Sequence, residues 1–436
     1  MVLLRGAGAG PHRQNLIVML RGTQKHLLVV ATTTGYQLKM FRDAAQRLGT
    51  DISLATDRCH VLDDPWGDHA IPVRFEAPEQ SAAALGQGQR FDAVVAIGDR
   101  PAYLAALAAE RMGILFHRPQ AAAAAINKFA TRECFRKAGL LVPLYSRLRV
   151  DADAGRAAED IQYPCVLKPL GLSTSRGVIR ANTPQEFVTA FGRTRRLLET
   201  PGIARLKDPA LEYIQVETFL PGREFALDGL VTNGHLHVLE LFDKPDPLDG
   251  PYFQETIYVS PSREPLPVQE AIFKAAQIAV TALGLHQGPI HAEMRVHGGR
   301  VWMLEVAPRP IGGLCSKALV FEKAASLEEL IVRHAFGEDV SGARRRTNAA
   351  GVMMIPVHRA GIYQNVHGVD LAEAIADELI ITAKEGQRVL PLPEGNTYLG
   401  FLFAYGETAP GVEERLRRAH QALEFEIAEM LPVLRC

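Results

Sequence analysis

Apolar strands alternate with helices in the N-terminal part of the chain. The run HLLVVA at 26–31 is apolar almost throughout, which is typical of a strand covered on both faces. After it, the pattern predicts a helix at 37–48, strands at 51–55 and 91–98, a proline-started helix at 101–112 and a short strand at 113–116. Strands that alternate with helices predict a parallel, doubly wound sheet.

Closely spaced strands and turns replace this alternation further along the chain. A helix that ends at Gly139 precedes strands predicted at 165–169, 216–220, 225–232, 236–242, 291–296 and 300–306. This spacing indicates an α+β region with a mostly antiparallel sheet. Strands at 351–357, 378–383 and 397–405, followed by a long helix at 411–430, indicate a small final domain.

Charge and composition exclude several classes of protein. The chain has 436 residues, a net charge of -1 and one arginine run, 344–346, in a stretch that we interpret as a linker, so no nucleic acid partner is expected. The five cysteines lack CxxC spacing, which favours a reducing, cytoplasmic location. No uncharged apolar run is long enough to span a membrane, so neither a membrane partner nor export is expected.

The most informative motif is CVLKPLGLSTSRGV. Its Lys168 ends a buried strand, and a glycine- and serine-rich loop at 171–177 follows directly. Such a loop can place backbone N–H groups against phosphate oxygens. The order differs from a Walker A sequence, because the lysine precedes the loop. Taken alone, the motif also fits an ordinary surface turn.

A second motif, VETFLPGREFALDG, predicts a strand through Glu217, Phe219 and Leu220 and, after a turn, a new strand that begins at Glu224. The backbone of such a strand can pair with an adenine edge while a carboxylate reaches ribose hydroxyls. Alone, the motif also fits a β-hairpin with exposed acids.

Two glutamates form the third candidate feature. Glu293 and Glu305 lie on strands joined by a His-Gly-Gly turn, so a hairpin brings the two acids close together. Like-charge repulsion makes this arrangement costly unless cations lie between the acids. Mg²⁺ with oxygen ligands and nucleotide phosphates removes that cost.

Other chemistry-bearing residues have simpler explanations. His286, His291 and His297 suggest zinc, but strand spacing does not gather them with a cysteine, and hydrogen-bonded histidines are the favoured interpretation. Cys315 has no base nearby in sequence, so a packed thiol is favoured over a nucleophile.

Lysine, glycine loop, acidic hinge and paired glutamates occur in the order of the ATP-grasp superfamily, which residues 26–436 resemble as a set. Within it, the chain is most similar to the carboxylate-amine ligases that include L-amino acid ligases. The phrases that carry this closer resemblance are DKP, YFQET, EVAPRPIGGLCSKAL, MMIPVHRAG and LPEGNTYLGFLFAYG.

The resemblance implies an ATP-grasp fold, α/β and α+β, in distinct domains. A flexible extension precedes a Rossmann-like domain, a two-lobed ATP-grasp domain and a small C-terminal α+β domain. Their predicted ranges are 1–24 for the extension, 25–120 for the Rossmann-like domain, 121–345 for the ATP-grasp domain (lobes 121–220 and 221–345) and 346–436 for the last domain.

The resemblance also implies a set of ATP-binding residues. They are Lys128 and Lys168 at the phosphates, Ser173, Ser175 and Gly177 in a closing loop, Glu217, Phe219 and Leu220 at the adenine hinge, and Glu224 at the ribose.

The remaining implied residues hold metal and substrate. They are Glu293 and Glu305 for Mg²⁺ (or Mn²⁺), Lys244 and Arg309 facing the transferred phosphoryl group or the substrate carboxylate, Glu255 at the substrate amino group, and Gly312 and Gly313 at the substrate.

One position departs from the family pattern. An Asn usually follows the second metal-binding acid after two residues, and here that position is Ala307, so either water replaces the ligand or the site is weakened.

The expected activity is ADP-forming ligation of a small-molecule carboxylate to an amine through an acyl phosphate. This chemistry needs charge neutralisation and a lid that excludes water. The alternatives are a carboxylating or purine-pathway enzyme that uses bicarbonate, acyl-adenylate chemistry, and a nucleotide-binding regulatory protein without catalysis, to which Ala307 points. Related folds suggest a homodimer by analogy.

Overall fold

The structure is a computed structural model that describes residues 25–33, 37–57, 70–346 and 348–430. The extension predicted at 1–24 lies outside the described residues. No helix within the described ranges is long and apolar enough to cross a membrane.

The N-terminal part contains a parallel sheet, as predicted. Its strand order is β3-β2-β1-β4, with β1 and β4 almost completely buried. The strands are β1 (His26–Ala31), β2 (Asp51–Thr56), β3 (Ile71–Pro72) and β4 (Ala93–Ile97); the helices are α1 (Leu38–Arg47), α2 (Pro78–Gln87) and α3 (Asp99–Met112). The strand predicted at 113–116 is wrong, because Gly113 caps α3 in the left-handed conformation and the next residues run on without joining a sheet in the described structure.

Two short helices and a four-stranded antiparallel sheet come next. The sheet has the order β5-β8-β6-β7 and packs against α7. The helices are α4 (Pro119–Ala125), α5 (Lys128–Lys137), α6 (Ala154–Glu159), α7 (Pro184–Leu198) and α8 (Pro201–Ala204); the strands are β5 (Tyr145–Arg149), β6 (Cys165–Pro169), β7 (Ile179–Ala181) and β8 (Tyr213–Thr218). Asn127 caps α5 by accepting two backbone N–H bonds, which places Lys128 at its first turn.

An eight-stranded antiparallel sheet forms the largest unit, with the order β13-β12-β9-β10-β11-β14-β18-β16. Its strands are β9 (Arg223–Thr232), β10 (His235–Lys244), β11 (Ile257–Ser260), β12 (Gly288–His297), β13 (Arg300–Ala307), β14 (Ala349–Ile355), β16 (Glu378–Ile381) and β18 (Gly400–Gly406); its helices are α9 (Leu266–Leu283) and α10 (Leu327–Ala335). The strands predicted for a separate C-terminal domain extend this sheet, and the boundary between 345 and 346 stays a prediction.

A small sheet with the order β17-β15-β19 completes the chain. It consists of β15 (Gly361–His367), β17 (Arg388–Val389) and β19 (Glu424–Ala428), with helices α11 (Val369–Ile375) and α12 (Ala409–Gln421) nearby. The helix predicted at 411–430 is wrong beyond Gln421. The sequence EFEIA alternates polar and apolar residues with the period of a strand and pairs with β15.

Residues 344–346, interpreted as a linker, lie between α10 and β14 and are attached to the large sheet. Arg345 forms a largely buried ion pair with Glu240 of β10 and hydrogen-bonds Ser260 at the end of β11. Because the pair is largely removed from water, it fixes this segment against the large sheet.

Candidate active site

A cavity of about 1210 Å³ brings most of the predicted site residues together. It is lined by residues from both antiparallel sheets and from the loop after β6. The predicted residues that line it are Lys128, Lys168, Ser173, Ser175, Glu217, Phe219, Leu220, Glu224, Glu255, Glu293, Glu305, Arg309, Gly312 and Gly313. Lys244 and Gly177 are predicted site residues that do not line it.

A buried ion cluster fixes Lys168 at one end of this cavity. Lys168 Nζ lies 2.5 Å from one oxygen of Glu217, and Arg132 Nε lies 2.6 Å from the other. Burial alone would raise the pKa of Glu217, but the two cations lower it to about 2. Burial lowers the pKa of Lys168, and Glu217 opposes that shift. Both side-chain oxygens of Glu217 are therefore engaged by cations.

Lys128 contacts the glycine-rich loop and lies near Glu305, the second candidate metal ligand. Its ammonium donates to the carbonyl of Leu172 at 2.6 Å and lies 4.0 Å from Glu305. The two predicted phosphate-binding lysines thus reach one cavity from different elements, the first turn of α5 and the end of β6.

The loop after β6 is attached at its far end to the C-terminal part of the chain. Gly177 N–H donates to the carbonyl of Pro393 at 2.9 Å, and Arg176 Nε donates to the carbonyl of Glu394 at 2.9 Å. A Cβ at Gly177 would lie 2.7 Å from the ring of Pro169, so only glycine fits. Gly177 therefore anchors the loop instead of lining the cavity.

Glu293 and Glu305 lie directly opposite each other on β12 and β13, as the predicted hairpin requires. A register shift follows immediately after Glu293, which is typical of strands that re-aim a side chain at a site. Burial would raise the pKa of Glu293, but attraction by Lys244 and His291 holds it well below its usual range.

A second acidic group lies next to this pair. Glu224, Glu255 and Glu293 each have a carboxylate oxygen within a 4.8 Å cluster, a geometry that can hold a metal ion. Lys244 Nζ lies 2.9, 2.5 and 2.7 Å from these three acids, respectively. Three carboxylates thus surround the ammonium of Lys244, which does not itself line the cavity, and its expected place at the phosphoryl group or the substrate carboxylate stays a prediction.

Arg295 and Phe219 shape the opposite wall of the cavity. Arg295 donates to Glu224 at 2.8 Å and to the carbonyl of Leu220 at 2.7 Å. Arg180 and Arg295 lie over the ring of Phe219 at 3.9 and 5.7 Å from its centroid. Glu224 thus receives hydrogen bonds from two cations, Lys244 and Arg295, which makes its carboxylate a fixed part of the wall.

Polar contacts through His291 and Asp228 link Glu293 to the segment after β13. His291 Nε2 lies 3.6 Å from Glu293, and His291 Nδ1 lies 3.2 Å from Asp228. The other oxygen of Asp228 accepts the backbone N–H of Ile311 at 2.9 Å. Burial would lower the pKa of His291, but Asp228 and Glu293 raise it to about 9. His291 is thus a hydrogen-bonded histidine, as favoured from the sequence.

Around Glu255, the cavity lining also contains less polar groups. Glu255 accepts a hydrogen bond from the hydroxyl of Tyr258 at 2.9 Å, and Met354, Tyr398 and Cys315 also line the cavity. Burial raises the pKa of Glu255, although Lys244 opposes the shift. Burial also raises the pKa of Cys315, which agrees with a packed thiol.

Ala307 lies at the end of β13 beside a second, small cavity. Its walls include Asp99, Lys128, Thr131 and Glu305. The space beside Ala307 is therefore polar, and a water molecule fits the chemistry of these walls.

The sequence predictions missed Arg132, Arg295, Asp228 and Asp99. Arg132 follows Lys128 by one helical turn, and Arg295 follows Glu293 by two residues on a strand, so periodicity alone signals both. Asp99 follows the carboxyl end of a predicted parallel strand, where ligand sites of such sheets lie. Asp228 has no such signal.

Comparison with known proteins assigns a class to this combination of fold and site. Residues 161–318 match the ATP-grasp domain, and residues 353–428 match the L-amino acid ligase C-terminal domain 2. The chain therefore contains an ATP-grasp domain and a C-terminal domain of the L-amino acid ligase type, as the sequence resemblance predicted.

Individual relatives agree with this assignment. An alanine–anticapsin ligase from Bacillus subtilis is 27% identical over 45% of this chain. The match spans 43% of the length of that ligase, which is less than half. A formate-dependent phosphoribosylglycinamide formyltransferase from Cupriavidus pinatubonensis is 25% identical over 88% of this chain and 92% of its own length. The crystal structure of an L-amino acid ligase from Bacillus licheniformis has the same fold, with a TM-score of 0.75, 24% identity and coverage of 93% of this chain and 99% of that chain.

Proposed function

We propose that the protein is an ADP-forming ligase that joins a carboxylate to an amine with the energy of ATP. The observation that carries this proposal is the single cavity that Lys128, Lys168, Glu293, Glu305 and Arg309 line together. The match of the C-terminal part to L-amino acid ligases supports an amine acceptor, and an amino acid as the first candidate substrate.

The residues present fit Mg²⁺. Glu293 and Glu305 are paired across a hairpin, and Mg²⁺ would compensate their mutual repulsion in addition to Lys244 beside Glu293 and Lys128 beside Glu305. The two glutamates would hold the ion, which would neutralise developing charge on the phosphates. The small polar cavity beside Ala307 leaves room for water in place of the usual Asn ligand.

In the proposed first step, a carboxylate oxygen attacks the terminal phosphorus of ATP. The bond between carboxylate oxygen and phosphorus forms, the bond to the bridging oxygen breaks, and ADP leaves. Lys128 and Lys168 neutralise the phosphate oxygens, and Arg309 faces the reacting carboxylate. Because Glu217 fixes Lys168, its ammonium needs little reorganisation during the transfer.

In the second step, the amine nitrogen attacks the acyl carbon, inorganic phosphate leaves and the nitrogen loses a proton. Glu255 would hold the amino group of an amino acid substrate. An acyl phosphate reacts with water, so the loop at 171–177 must cover the cavity during both steps. Hydrogen bonds to Pro393 and Glu394 hold the far end of this loop.

The test is a screen of amino acids and small carboxylates, in pairs with amines, for ADP and phosphate release. Hydroxylamine added in place of the amine should trap the acyl phosphate as a hydroxamate. A Glu305→Gln variant that retains the fold should lose both signals. Nucleotide binding without turnover in any combination would contradict the proposal and favour a regulatory protein.

A second candidate function is supported by the long alignment with the formyltransferase. Formate or bicarbonate would then be the carboxylate that receives phosphate. ADP formation that requires either of these acids and needs no amino acid would favour this alternative.

A further inference from the structure

Asp99, in the N-terminal part of the chain, contacts Arg309, which lines the cavity described above. Asp99 is the first residue of α3, and Gly98, with a φ of 104°, lets the backbone turn into the helix directly after β4. Its carboxylate oxygen accepts a hydrogen bond from Arg309 Nε at 2.7 Å. The position at a helix N-terminus adds a favourable field for the negative charge.

The charge state of this contact is defined by its surroundings. Burial would raise the pKa of Asp99, but Arg309, with smaller contributions from Lys128 and His291, lowers it. Burial would lower the pKa of Arg309, but Asp99, Glu305 and Glu293 raise it. Asp99 and Arg309 are thus both ionised at neutral pH.

The geometry of the pair controls the direction of the guanidinium group. Asp99 bonds Nε, and Nη1 donates to the carbonyl of the neighbouring Pro310 at 3.0 Å. Within the described part of the chain, no protein group bonds Nη2. The bonds at Nε and Nη1 therefore fix the plane of the guanidinium, and Arg309 lines the cavity.

The segment that carries Arg309 is fixed at further points. Gln37 of the N-terminal sheet region donates to the carbonyl of Ile311, and Asp228 of β9 accepts from its N–H. The backbone thus has its own supports, so Asp99 is not needed to hold the segment in place. What Asp99 adds is the orientation of one side chain.

We propose that Asp99 is a positioning residue that orients Arg309 toward an anionic group of the substrate, the carboxylate and then the acyl phosphate formed from it. This inference rests on the proposed ligase function. It makes the N-terminal part of the chain contribute to the reaction site, since the group that orients Arg309 is the first residue of α3. The bond is charge-assisted and short, so its loss should be visible in the kinetics.

The experiment compares Asp99→Asn and Asp99→Ala with wild type. Loss of a charge-assisted bond should lower kcat/KM for the carboxylate about tenfold to a hundredfold, while KM for ATP stays within about twofold. The more conservative Asn variant keeps an acceptor oxygen and should lose less than Ala. The matched control is Asp92→Asn at the other end of β4, where the carboxylate accepts the backbone N–H of His26; this variant should keep wild-type kinetics.

A double-mutant cycle with Arg309→Lys separates positioning from a structural role. Lysine has no Nε donor in a planar group, so Asp99→Asn should have little further effect in that background. Additive losses in kcat/KM, or an equal rise in both KM values, would overturn the inference. An active wild type with an unaffected Asp99→Ala would overturn this inference alone, whereas a wild type that turns over no carboxylate would overturn the proposed function and the inference with it.

Discussion

Replacing Lys168 with Met should weaken ATP binding more than it lowers the stability of the fold. The substitution removes the ammonium that faces the cavity but leaves Glu217 paired with Arg132 at 2.6 Å. The lowering of the Glu217 pKa from its ordinary 4.5 to about 2 corresponds to roughly 3 kcal/mol in favour of the ionised form. Two cations share that effect, and the substitution also removes the cost of burying the Lys168 ammonium, so Lys168→Met should lower the free energy of unfolding by at most about 1–2 kcal/mol at neutral pH.

The loss in nucleotide affinity should be larger. A hydrogen bond to a charged group contributes about 1.5–3 kcal/mol, so the dissociation constant of ATP should rise roughly tenfold to a hundredfold, measured by calorimetry. Adenosine, which lacks phosphates, should bind both proteins equally. Lys137→Met, at the exposed end of α5, is the matched control. Unchanged ATP affinity in Lys168→Met would refute the assignment of Lys168 to the phosphates.

The same ion cluster predicts a direction for the pH dependence. Glu217 has a depressed pKa in the folded state, so its contribution to stability is present above about pH 4.5 and is lost as the pH falls toward about 2. The stability difference between wild type and Lys168→Met should therefore shrink over this acid range, measured by denaturant unfolding at several pH values. A difference that grows on acidification would contradict the account.

Other variants test the metal site, the lid and the enclosed lysine. Ala307→Asn places an amide in the small polar cavity beside Glu305, and the Mg²⁺ concentration for half-maximal activity should fall by roughly tenfold; no change would mean that the amide does not reach the ion. Glu394→Ala removes two hydrogen bonds to Arg193, at 2.6 and 2.8 Å, near the attachment of the lid. Phosphate release should then exceed amide formation, whereas the exposed Glu199→Ala should keep the two equal. Lys244→Met leaves three carboxylates without their shared ammonium, so the Tm should fall and added Mg²⁺ should restore part of it; a wild-type Tm would contradict the enclosed geometry.

Most of the fold could be predicted from periodicity and turn residues. The apolar run of β1 and the hairpin that pairs Glu293 with Glu305 depend on local patterns, and both were predicted from them. The segment at 424–428 was missed because its two-residue alternation is short and follows a helix directly. Membership of β14 and β18 in the large sheet depends on pairing across distant parts of the chain, which no local pattern encodes.

The candidate site was also predicted only in part. Motifs located the residues that line the cavity, because each motif is contiguous in sequence. The partners that fix those residues were not predicted, since the 210-residue separation of Asp99 and Arg309 leaves no pattern in the chain. The contacts of Lys244 were likewise not predicted, because its motif contains the lysine and not the three acids that surround its ammonium.

The most direct test of the central claim follows oxygen from the carboxylate substrate. Wild-type protein is given ATP, Mg²⁺, an amine and a carboxylate labelled with ¹⁸O, and the products are analysed by mass spectrometry. Phosphoryl transfer to the carboxylate in the cavity of Lys168, Glu293 and Glu305 predicts one labelled oxygen in inorganic phosphate for each amide formed. Label in AMP, or amide formation with unlabelled phosphate, would contradict it.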